Sequence, residues 1–553
     1  MSIYAPLNTE PRPILQRVEV AIFFQLPSFH LVGLPGPEVS ESKERVRAAI
    51  DSSQLQFPKG RVVVNLSPAN IKKRGTGLDL AVALAVLSAT ETLKSRIGAW
   101  GELGLDGSIK SAGQLTRSLY AAWKGGMEAM MICRSEWGAA QKALKCLEQS
   151  GEMSGDAPVL IPVLSLREAW DKLSAWKSGR PELPHYSSVE PERVEVSESP
   201  CSVPSDAPIH LLPLTPALER LVGMVVSGKH HFLILGPRGV GKSQLVEWIV
   251  NLQPELSPQD RLRQRLLSEL AQMSSQSWSA AQESHSVPTR WVGPQVRPAA
   301  LVGGCVAGLI RPGEYSLANG GLLIADEFPE WSRDSRESLR EPLERGKVSV
   351  TRAHGSFELP SEFQFIGTGN LCPCGGWPAS LGLPASLDGG AAAPVGGSAS
   401  VTRCRCQLTA SSAYLSRLSG PVLDRMDCVL VWKGRGPSEC AYEMGETRVR
   451  LEVLRVRVEQ AQKFATETWG GHPGRMTGAQ VEEILTQRYS KTWDLFLKSA
   501  SMSTSEVSLR ARHKIARVAL SLCAWDGASE PSWAHWMEAA FYRPEKAFQA
   551  SMG

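Results

Sequence analysis

The chain of 553 residues is 42% hydrophobic and 21% charged, with a formal net charge of +4 at pH 7. A single hydrophobic core stops growing near roughly 250–300 residues, so we expect at least two folded domains. The sequence lacks a run of about 18 apolar residues, the length needed to cross a bilayer, which argues against a membrane-embedded protein. The small net charge permits a polyanionic partner but does not require one.

The start of the sequence and its cysteines both favour the cytoplasm. The first residues are polar and contain Pro6, Pro11 and Pro13, unlike the basic and then apolar start of a secretory signal. The chain has 11 cysteines, an odd number, which suits a reducing compartment better than a disulfide framework. We therefore expect a cytoplasmic protein.

The first predicted domain, residues 1–175, is a mixed α/β unit. Strand-like apolar runs occur at Arg61–Leu66 and Ala129–Cys133, and the alanine-rich segment Leu78–Leu87 predicts a buried helix between them. Residues 176–208 turn to Pro, Ser and Glu with few large apolar side chains, a composition typical of a linker.

The second predicted domain, residues 209–435, has the element order of a P-loop α/β fold. A strand at His231–Leu235 leads into a glycine loop and a helix, and another apolar strand follows at Gly321–Ala325. Residues 375–401 are mostly Gly, Ala, Pro, Ser and Leu, which predicts a mobile insertion. Residues 436–553 carry helical periodicity and are predicted to be a helical lid.

A complete phosphate-binding loop follows the first of these strands. Its residues are Gly236, Pro237, Arg238, Gly239, Val240, Gly241, Lys242 and Ser243. The glycines let backbone N–H groups turn toward phosphates, and the start of the following helix adds a favourable dipole. Lys242 is predicted to contact the β- and γ-phosphates of ATP, and Ser243 to bind Mg²⁺.

Polar residues downstream of this loop fit the needs of phosphoryl transfer. Asp326 is predicted to hold Mg²⁺ through its water shell, and Glu327 to orient and deprotonate the attacking water. Asn370 follows an apolar run and could polarise the same water. Arg425 is a candidate arginine finger for a neighbouring subunit's nucleotide, and Arg510 could reach the same phosphates. A surface salt bridge is the alternative for each arginine.

Four cysteines form two close pairs, Cys372 with Cys374 and Cys404 with Cys406. They could converge on a tetrahedral zinc site with the insertion looped out between them. One intervening residue is fewer than the two to four usual within a zinc pair, so reduced structural thiols or a role in pinning the loop are alternatives.

Six further motifs occur in a fixed order along the chain. They are Phe23-Phe24-Gln25 to Gly33-Leu34-Pro35, Asn65-Leu66-Ser67-Pro68-Ala69, Ser316-Leu317-Ala318-Asn319-Gly320, Arg340-Glu341-Pro342-Leu343-Glu344, Cys372-Pro373-Cys374-Gly375 and Arg417-Leu418-Ser419-Gly420-Pro421. Together they resemble the ComM/YifB family of magnesium-chelatase-like AAA+ proteins over residues 18–543. The resemblance implies an N-terminal α+β domain with the fold of the Lon protease domain, a central AAA+ module and a C-terminal magnesium-chelatase-type helical lid.

ComM proteins are hexameric DNA helicases that promote branch migration during natural transformation. The resemblance therefore implies Mg²⁺-dependent ATP hydrolysis by a homo-oligomeric, hexameric ring that acts on single-stranded or branched DNA. It gives Asn370 the sensor-1 role, Arg425 the finger role and Arg510 the sensor-2 role. The family's usual Gly-Pro-Pro opening of the loop has Arg238 instead of its second proline, which adds a cation near the phosphates or the subunit interface. The alternative function is a chelatase-like or chaperone-like ATPase that remodels a protein partner without DNA.

The same resemblance raises the question of proteolysis. Lon-type peptidases use a serine nucleophile activated by a lysine. The nucleophile position corresponds to Gly77 and the lysine position to Thr116, so both catalytic groups are missing. Thr76 is a poor substitute nucleophile without a nearby base. We expect a binding or assembly domain that is not a protease.

Basic clusters are the candidates for DNA contacts. Lys72-Lys73-Arg74 precedes a turn where it could meet a phosphate backbone, with a solvated loop as the alternative. Two other groups could line the channel of a ring. They are Arg403 and Arg405 beside the second cysteine pair, and Arg510, Arg512, His513, Lys514 and Arg517 on a lid helix.

Overall fold

The computed structural model describes most of the chain. The described residues are 3–8, 11–69, 71–89, 95–178, 211, 213–272, 287–306, 309–352, 355–376, 404–432, 447–499 and 508–543. The predicted linker 176–208 lies outside them except for its first three residues, and the predicted insertion 375–401 except for its first two.

The N-terminal strands form a mixed sheet. In the described part of the chain this sheet has seven strands in the order β3-β4-β2-β1-β5-β8-β9, and β6 pairs with β7 in a separate ribbon. The strands are β1 (Ile3–Leu7), β2 (Ile14–Phe23), β3 (Ser28–Val32), β4 (Arg61–Ser67), β5 (Ile97–Trp100), β6 (Glu102–Leu103), β7 (Ile109–Lys110), β8 (Ala129–Cys133) and β9 (Val159–Val163). The β1–β2 and β2–β4 pairs are antiparallel, and the other pairs of the sheet are parallel.

Helices pack on this sheet around one apolar core. They are α1 (Pro37–Ser52), α2 (Asp79–Leu87), α3 (Leu115–Lys124), α4 (Trp137–Ser150) and α5 (Leu166–Ser178). Helix α2 is buried from Asp79 to Val86, as its continuous apolar sequence predicts, because it has neighbours on every side. The predictions of this helix and of the strands β4 and β8 are confirmed.

The central strands form a parallel sheet in the order β11-β14-β17-β10-β18. The strands of this part of the chain are β10 (Phe232–Leu235), β11 (Thr289–Val292), β12 (Gly303–Val306), β13 (Leu309–Pro312), β14 (Leu322–Ala325), β15 (Lys347–Arg352), β16 (Gly355–Pro360), β17 (Gln364–Gly369) and β18 (Cys428–Val431). Alternate residues of β10 enter two different apolar clusters, Phe232 and Ile234 on one face and Leu233 and Leu235 on the other. Such double burial explains why the strand is apolar throughout.

The helices of the central and C-terminal parts cover this sheet. They are α6 (Pro216–Gly228), α7 (Lys242–Asn251), α8 (Pro258–Gln272), α9 (Pro298–Val302), α10 (Glu314–Leu317), α11 (Arg333–Ser338), α12 (Arg340–Arg345), α13 (Leu408–Leu415), α14 (Gly420–Leu423), α15 (Thr447–Trp469), α16 (Gly478–Arg488), α17 (Ser490–Ser499), α18 (Leu509–Trp525) and α19 (Trp533–Phe541). Helix α18 packs on α15, α16 and α19 and also on α6. Gly223 allows this last approach, since a Cβ atom there would lie 2.1 Å from the ring of Trp525.

Helix α8 joins the N-terminal sheet to the central part of the chain. The carboxylate of Glu269 accepts hydrogen bonds from the backbone N–H groups of Thr116 (3.1 Å) and Arg117 (2.9 Å), at the start of α3. The buried guanidinium group of Arg117 donates in return to the carbonyl oxygen of Leu266, 2.9 Å away. A carboxylate at a helix N-terminus satisfies otherwise unpaired amides, so this contact fixes α8 against α3.

The observed architecture is a mixed α/β structure whose central parallel sheet is consistent with a P-loop AAA+-like domain. The likeness of the N-terminal part to the Lon protease domain, the C-terminal lid and the boundaries at residues 175, 208 and 435 stay predictions. None of the helices in the described ranges is long and apolar enough to span a membrane.

Candidate nucleotide-binding site

The phosphate loop lies between β10 and α7, at the carboxyl end of the parallel sheet. Gly239 (φ +79°) and Gly241 (φ +96°) adopt left-handed backbone conformations that other residues rarely take. Gly236 is required for a different reason, because a Cβ atom there would lie 2.5 Å from the carbonyl oxygen of Trp432. The loop therefore turns tightly and presents the N-terminus of α7, whose first amides have no intrahelical acceptor.

Lys242 lies at the centre of the site. Its Nζ atom donates hydrogen bonds to the carbonyl oxygens of Gly236 (2.8 Å) and Pro237 (2.7 Å) and to Oδ1 of Asn370 (3.2 Å). Burial lowers the pKa of Lys242 to about 8, against the opposing attraction of Asp326 and Glu327. The ammonium group thus occupies a desolvated position where an anionic phosphate would favour its charged form.

Asp326 and Glu327 follow β14 directly and are held by Thr368 on the neighbouring strand β17. The hydroxyl of Thr368 donates to Oδ1 of Asp326 (2.7 Å) and accepts from the backbone N–H of Glu327 (3.2 Å). Glu327 has φ +47°, an uncommon conformation for a residue other than glycine. This turn leaves Asp326 exposed and Glu327 half-buried beside the phosphate loop.

The loop that carries the first cysteine pair contacts the phosphate loop. The backbone N–H of Arg238 donates to the carbonyl oxygen of Gly375 (2.9 Å), and the Arg238 side chain packs on Gly375 so closely that a Cβ atom there would lie 2.6 Å from it. The extra cation of the phosphate loop is therefore placed against the cysteine loop.

All four cysteines of the predicted cluster converge. Their Sγ atoms lie within 4.8 Å of one another. Cys374 Sγ is 3.6 Å from the Sγ atoms of Cys372 and Cys404, which are themselves 3.0 Å apart. Backbone amides of Gly376 and Cys406 donate to Cys374 Sγ (3.4 Å) and Cys404 Sγ (3.3 Å). The spacing of the two pairs in sequence therefore permits a compact four-thiol cluster.

Arg425 and Arg510 meet in a separate cleft of about 1430 Å³ between the central part and the C-terminal helices. The residues that line this cleft include neither the phosphate loop nor Asp326, Glu327 and Asn370, all of which are among the described residues. Glu344, at the end of α12, joins the two arginines: its Oε2 accepts from Arg425 (2.5 Å) and its Oε1 from Arg510 (2.8 Å). The predicted site residues thus fall into two groups on one chain.

Several predicted DNA contacts are already used within the chain. Lys73 is fully buried and donates to the carbonyl oxygen of Pro68, so for this residue both the phosphate contact and the solvated loop are wrong. Lys514 is buried as well and donates to the carbonyl oxygen of Met426 (2.8 Å). His513 is paired with Glu482 (2.8 Å). Arg403 lies outside the described residues, and Arg405 is exposed.

Three family models match the chain over its separate parts. The model of magnesium chelatase, subunit ChlI, matches residues 216–382, which include the phosphate loop. The model of subunit ChlI of Mg-chelatase matches residues 18–136, and that of the magnesium chelatase subunit ChlI C-terminal part matches residues 450–543.

The chain is also similar to curated proteins over most of its length. An uncharacterized protein of Mycobacterium tuberculosis is 30% identical over 529 residues, which are 93% of this chain and 92% of the relative. Competence protein ComM of Haemophilus influenzae is 27% identical over 561 residues, or 98% of this chain and 96% of the relative. YifB of Salmonella typhimurium is 27% identical over 553 residues, with the same coverage of 98% and 96%.

The chain belongs to the ComM/YifB family of magnesium-chelatase-like AAA+ proteins. The resemblance that the motifs indicate is thereby confirmed. Family membership makes the chain an ATPase of the AAA+ type, which uses ATP and Mg²⁺.

Sequence reasoning missed two residues of the nucleotide site and one residue of the cleft in this AAA+ protein. Thr368 binds the carboxylate of Asp326 and the backbone N–H of Glu327, Trp432 closes over Gly236 and Gly241, and Glu344 joins the two arginines. Glu344 lies in one of the family motifs, so the sequence marked this position but did not indicate what its side chain does. Thr368 and Trp432 occur in ordinary apolar runs, where no local pattern separates them from core residues.

The N-terminal part of this ATPase has no room for a side chain at Gly77, the position that corresponds to the peptidase nucleophile. The expectation that Thr76 has no nearby base is wrong, since its hydroxyl donates a hydrogen bond to the carboxylate of Glu102. A Cβ atom at position 77 would lie 2.4 Å from the ring of Trp100, so a serine there would displace the indole. Thr116 is fully buried beneath α8, where its amide is bound by Glu269. The binding or assembly role of this part of the chain stays a prediction.

Proposed function

We propose that this AAA+ ATPase is a motor that forms a ring, most simply a hexamer, and couples Mg²⁺-dependent ATP hydrolysis to movement on single-stranded or branched DNA. The observation that carries the proposal is the division of the catalytic groups. The phosphate loop, Asp326, Glu327 and Asn370 lie in one site, whereas Arg425 and Arg510 lie in a cleft that does not include it. A second copy of the chain would bring the two groups together.

The residues around the phosphate loop fit ATP with Mg²⁺. The glycine loop and Lys242 would hold the phosphates, and Ser243 with Asp326 would hold the metal ion. When bound, Mg²⁺ neutralises the charge of the phosphate oxygens. Glu327 would accept a proton from the attacking water at its carboxylate, and Asn370 would orient that water through its amide.

The two arginines would act on the nucleotide of the neighbouring subunit. Arg425 would stabilise the charge of the transferring phosphoryl group. Arg510 would bind the same phosphate and would thereby couple the nucleotide to the C-terminal helices that carry this arginine. Because each site would then need two chains, turnover would depend on assembly.

DNA as the substrate is supported by the competence protein among the relatives and by exposed Arg405 next to the cysteine cluster. The alternative, remodelling of a protein partner, is supported by the three chelatase-subunit models, none of which is named for a nucleic acid. Binding to DNA releases counterions and weakens steeply with salt, so the two functions differ in a measurable way.

Steady-state ATP hydrolysis by the purified full chain tests the proposal. We expect four-way-junction or single-stranded DNA to raise the rate and the increase to disappear between about 50 and 200 mM salt. The Lys242→Ala variant, matched in every other respect, should show no turnover above background. Turnover by the wild type that ignores every DNA would contradict the DNA motor and favour a protein substrate.

We also infer that the four-cysteine cluster holds a structural zinc ion. A Zn–S distance of about 2.3 Å in a tetrahedral site places sulfur atoms roughly 3.8 Å apart. The two 3.6 Å separations of Cys374 fit this value, whereas the 3.0 Å separation of Cys372 and Cys404 is shorter and would have to widen around the ion. The amide donors to Cys374 and Cys404 suit thiolate sulfur. Bound zinc would fix Gly375 under Arg238 and so support the phosphate loop.

Zinc analysis of the protein purified without chelator tests this inference. We expect about one zinc ion per chain in the wild type and a loss of most of it in Cys404→Ser. Cys305→Ala, at a free cysteine outside the cluster, is the matched control and should keep its zinc. Metal-free wild-type protein with four titratable thiols in the cluster would favour reduced structural cysteines instead.

A further inference from the structure

Glu344 is the common partner of the two arginines in the cleft. Arg425 is only 14% exposed, and its guanidinium group donates through NH2 to Glu344 Oε2 (2.5 Å) and through NH1 to the carbonyl oxygen of Pro421 (2.7 Å). Arg510 is 49% exposed and donates to the other carboxylate oxygen (2.8 Å). One carboxylate therefore connects the segment after α14 with the first turn of α18, elements that are far apart in sequence.

Two guanidinium groups repel each other when they point at one place, unless an anion lies between them. Glu344 supplies one negative charge to two positive ones, so the group keeps a net positive charge. Each arginine has five N–H donors and uses only one of them on Glu344, which leaves donors for a second anion. The hydrogen bond from Arg425 and the nearby Arg510 also lower the pKa of Glu344, so the carboxylate is ionised near neutral pH.

We propose that Glu344 is a positioning residue that holds Arg425 and Arg510 side by side, ready for the phosphate of a nucleotide bound to the neighbouring chain. The phosphate would be the second anion beside the two arginines, after Glu344, and would bind both of them. Glu344 makes no contact with the reacting atoms in this arrangement and acts only through the two arginines. The proposal rests on the proposed function, since it requires a nucleotide contributed by a second chain.

The test removes the negative charge of the Glu344 side chain and keeps the shape of the side chain. In Glu344→Gln we expect kcat for ATP to fall about 10-fold to 100-fold, because a misplacement of about 1 Å costs a catalytic group up to roughly 100-fold. The KM for ATP should change by less than about twofold, since the phosphate loop that sets it lies outside the cleft. The matched control is Glu341→Gln on the same helix α12, whose carboxylate accepts from Ser349 (2.7 Å) and not from either arginine.

The effect of Glu344→Gln on kcat, compared with and without Arg510, distinguishes a positioning role from a merely structural one. In the Arg510→Ala background, Glu344→Gln should lower kcat by a smaller factor than it does in the wild type, because residues that act together are not additive. A full, independent effect in that background would overturn the proposal, as would a kcat equal to or above that of the wild type in Glu344→Gln.

Assembly gives a readout that does not depend on turnover. With a non-hydrolysable ATP analogue, Glu344→Gln should need about 10-fold more protein than Glu341→Gln to assemble, because the arginines would meet the neighbour's phosphate less well. If the wild type assembles with the analogue but does not hydrolyse ATP, the proposed function fails; the positioning role then stands only where Glu344→Gln still needs more protein than Glu341→Gln to assemble. Equal assembly of the two variants together with equal kcat would overturn the role of Glu344 itself.

Discussion

Arg425→Ala is expected to lower ATP turnover by roughly 1,000-fold, the low end of the effect of an arginine finger, while ATP binding stays unchanged. The arginine lies in the cleft with Glu344, and its own chain's phosphate loop does not line that cleft. Its loss should therefore remove charge stabilisation at the neighbouring chain's nucleotide without weakening binding on its own chain. Turnover and equilibrium binding of a fluorescent ATP analogue measure the two quantities.

Mixing variants tests whether the arginine acts between chains. Arg425→Ala mixed with Lys242→Ala should regain part of the activity, since some interfaces then combine an intact phosphate loop with an intact Arg425, but it should not reach the wild-type rate. The control is Arg167→Ala, which removes an exposed arginine paired with Asp171 and should leave turnover unchanged. Normal turnover by purified Arg425→Ala would show that this residue is not the finger.

Glu327→Gln is expected to lower turnover by about 1,000-fold with ATP still bound, since a general base contributes roughly 100-fold to 10,000-fold. Glutamine keeps the size of the side chain, so the unusual backbone at position 327 and its hydrogen bond to Thr368 should persist. What is lost is the ability of the carboxylate to take a proton. Single-turnover hydrolysis in preassembled protein isolates this step from binding.

The matched control for this variant is Glu358→Gln, an exposed glutamate paired with Lys347 on the hairpin of β15 and β16. It should hydrolyse ATP at the wild-type rate. If Glu327→Gln retains more than about a tenth of the wild-type rate, another group activates the water and the general-base assignment of Glu327 is wrong.

Much of the fold and of the nucleotide site could be predicted from local patterns. The strand, glycine loop and helix from β10 to α7 are contiguous, and the chain itself keeps their residues in register. The apolar strand before Asp326 is likewise contiguous in sequence with the two carboxylates that follow it. The contacts between these segments were not predictable in this way: Thr368 reaches Asp326 across 42 positions of sequence, and Lys242 reaches Asn370 across 128.

The basic clusters show where local reasoning failed. Lys72-Lys73-Arg74 looks like a solvent-exposed patch in the sequence, yet Lys73 turns inward to a carbonyl oxygen. Lys514 lies on an amphipathic helix that looks basic, yet its ammonium group caps carbonyl groups of the central part of the chain. Burial of a long cationic side chain depends on which backbone groups a distant segment presents to it. The composition of the local sequence does not show which groups these are.

The sequence by itself determined the chemistry of this protein: the family, the phosphate loop, the carboxylates of Asp326 and Glu327, and the two close pairs of cysteines. These features are short, and their spacing along the chain is sufficient to identify them. Only the tertiary structure decided that Arg425 and Arg510 share Glu344 in a cleft outside the phosphate loop. The reason is geometric: packing of the C-terminal helices on α6 brings Arg510 to Glu344 across 166 positions of sequence, and folding of the central part brings Arg425 to Glu344 across 81 positions.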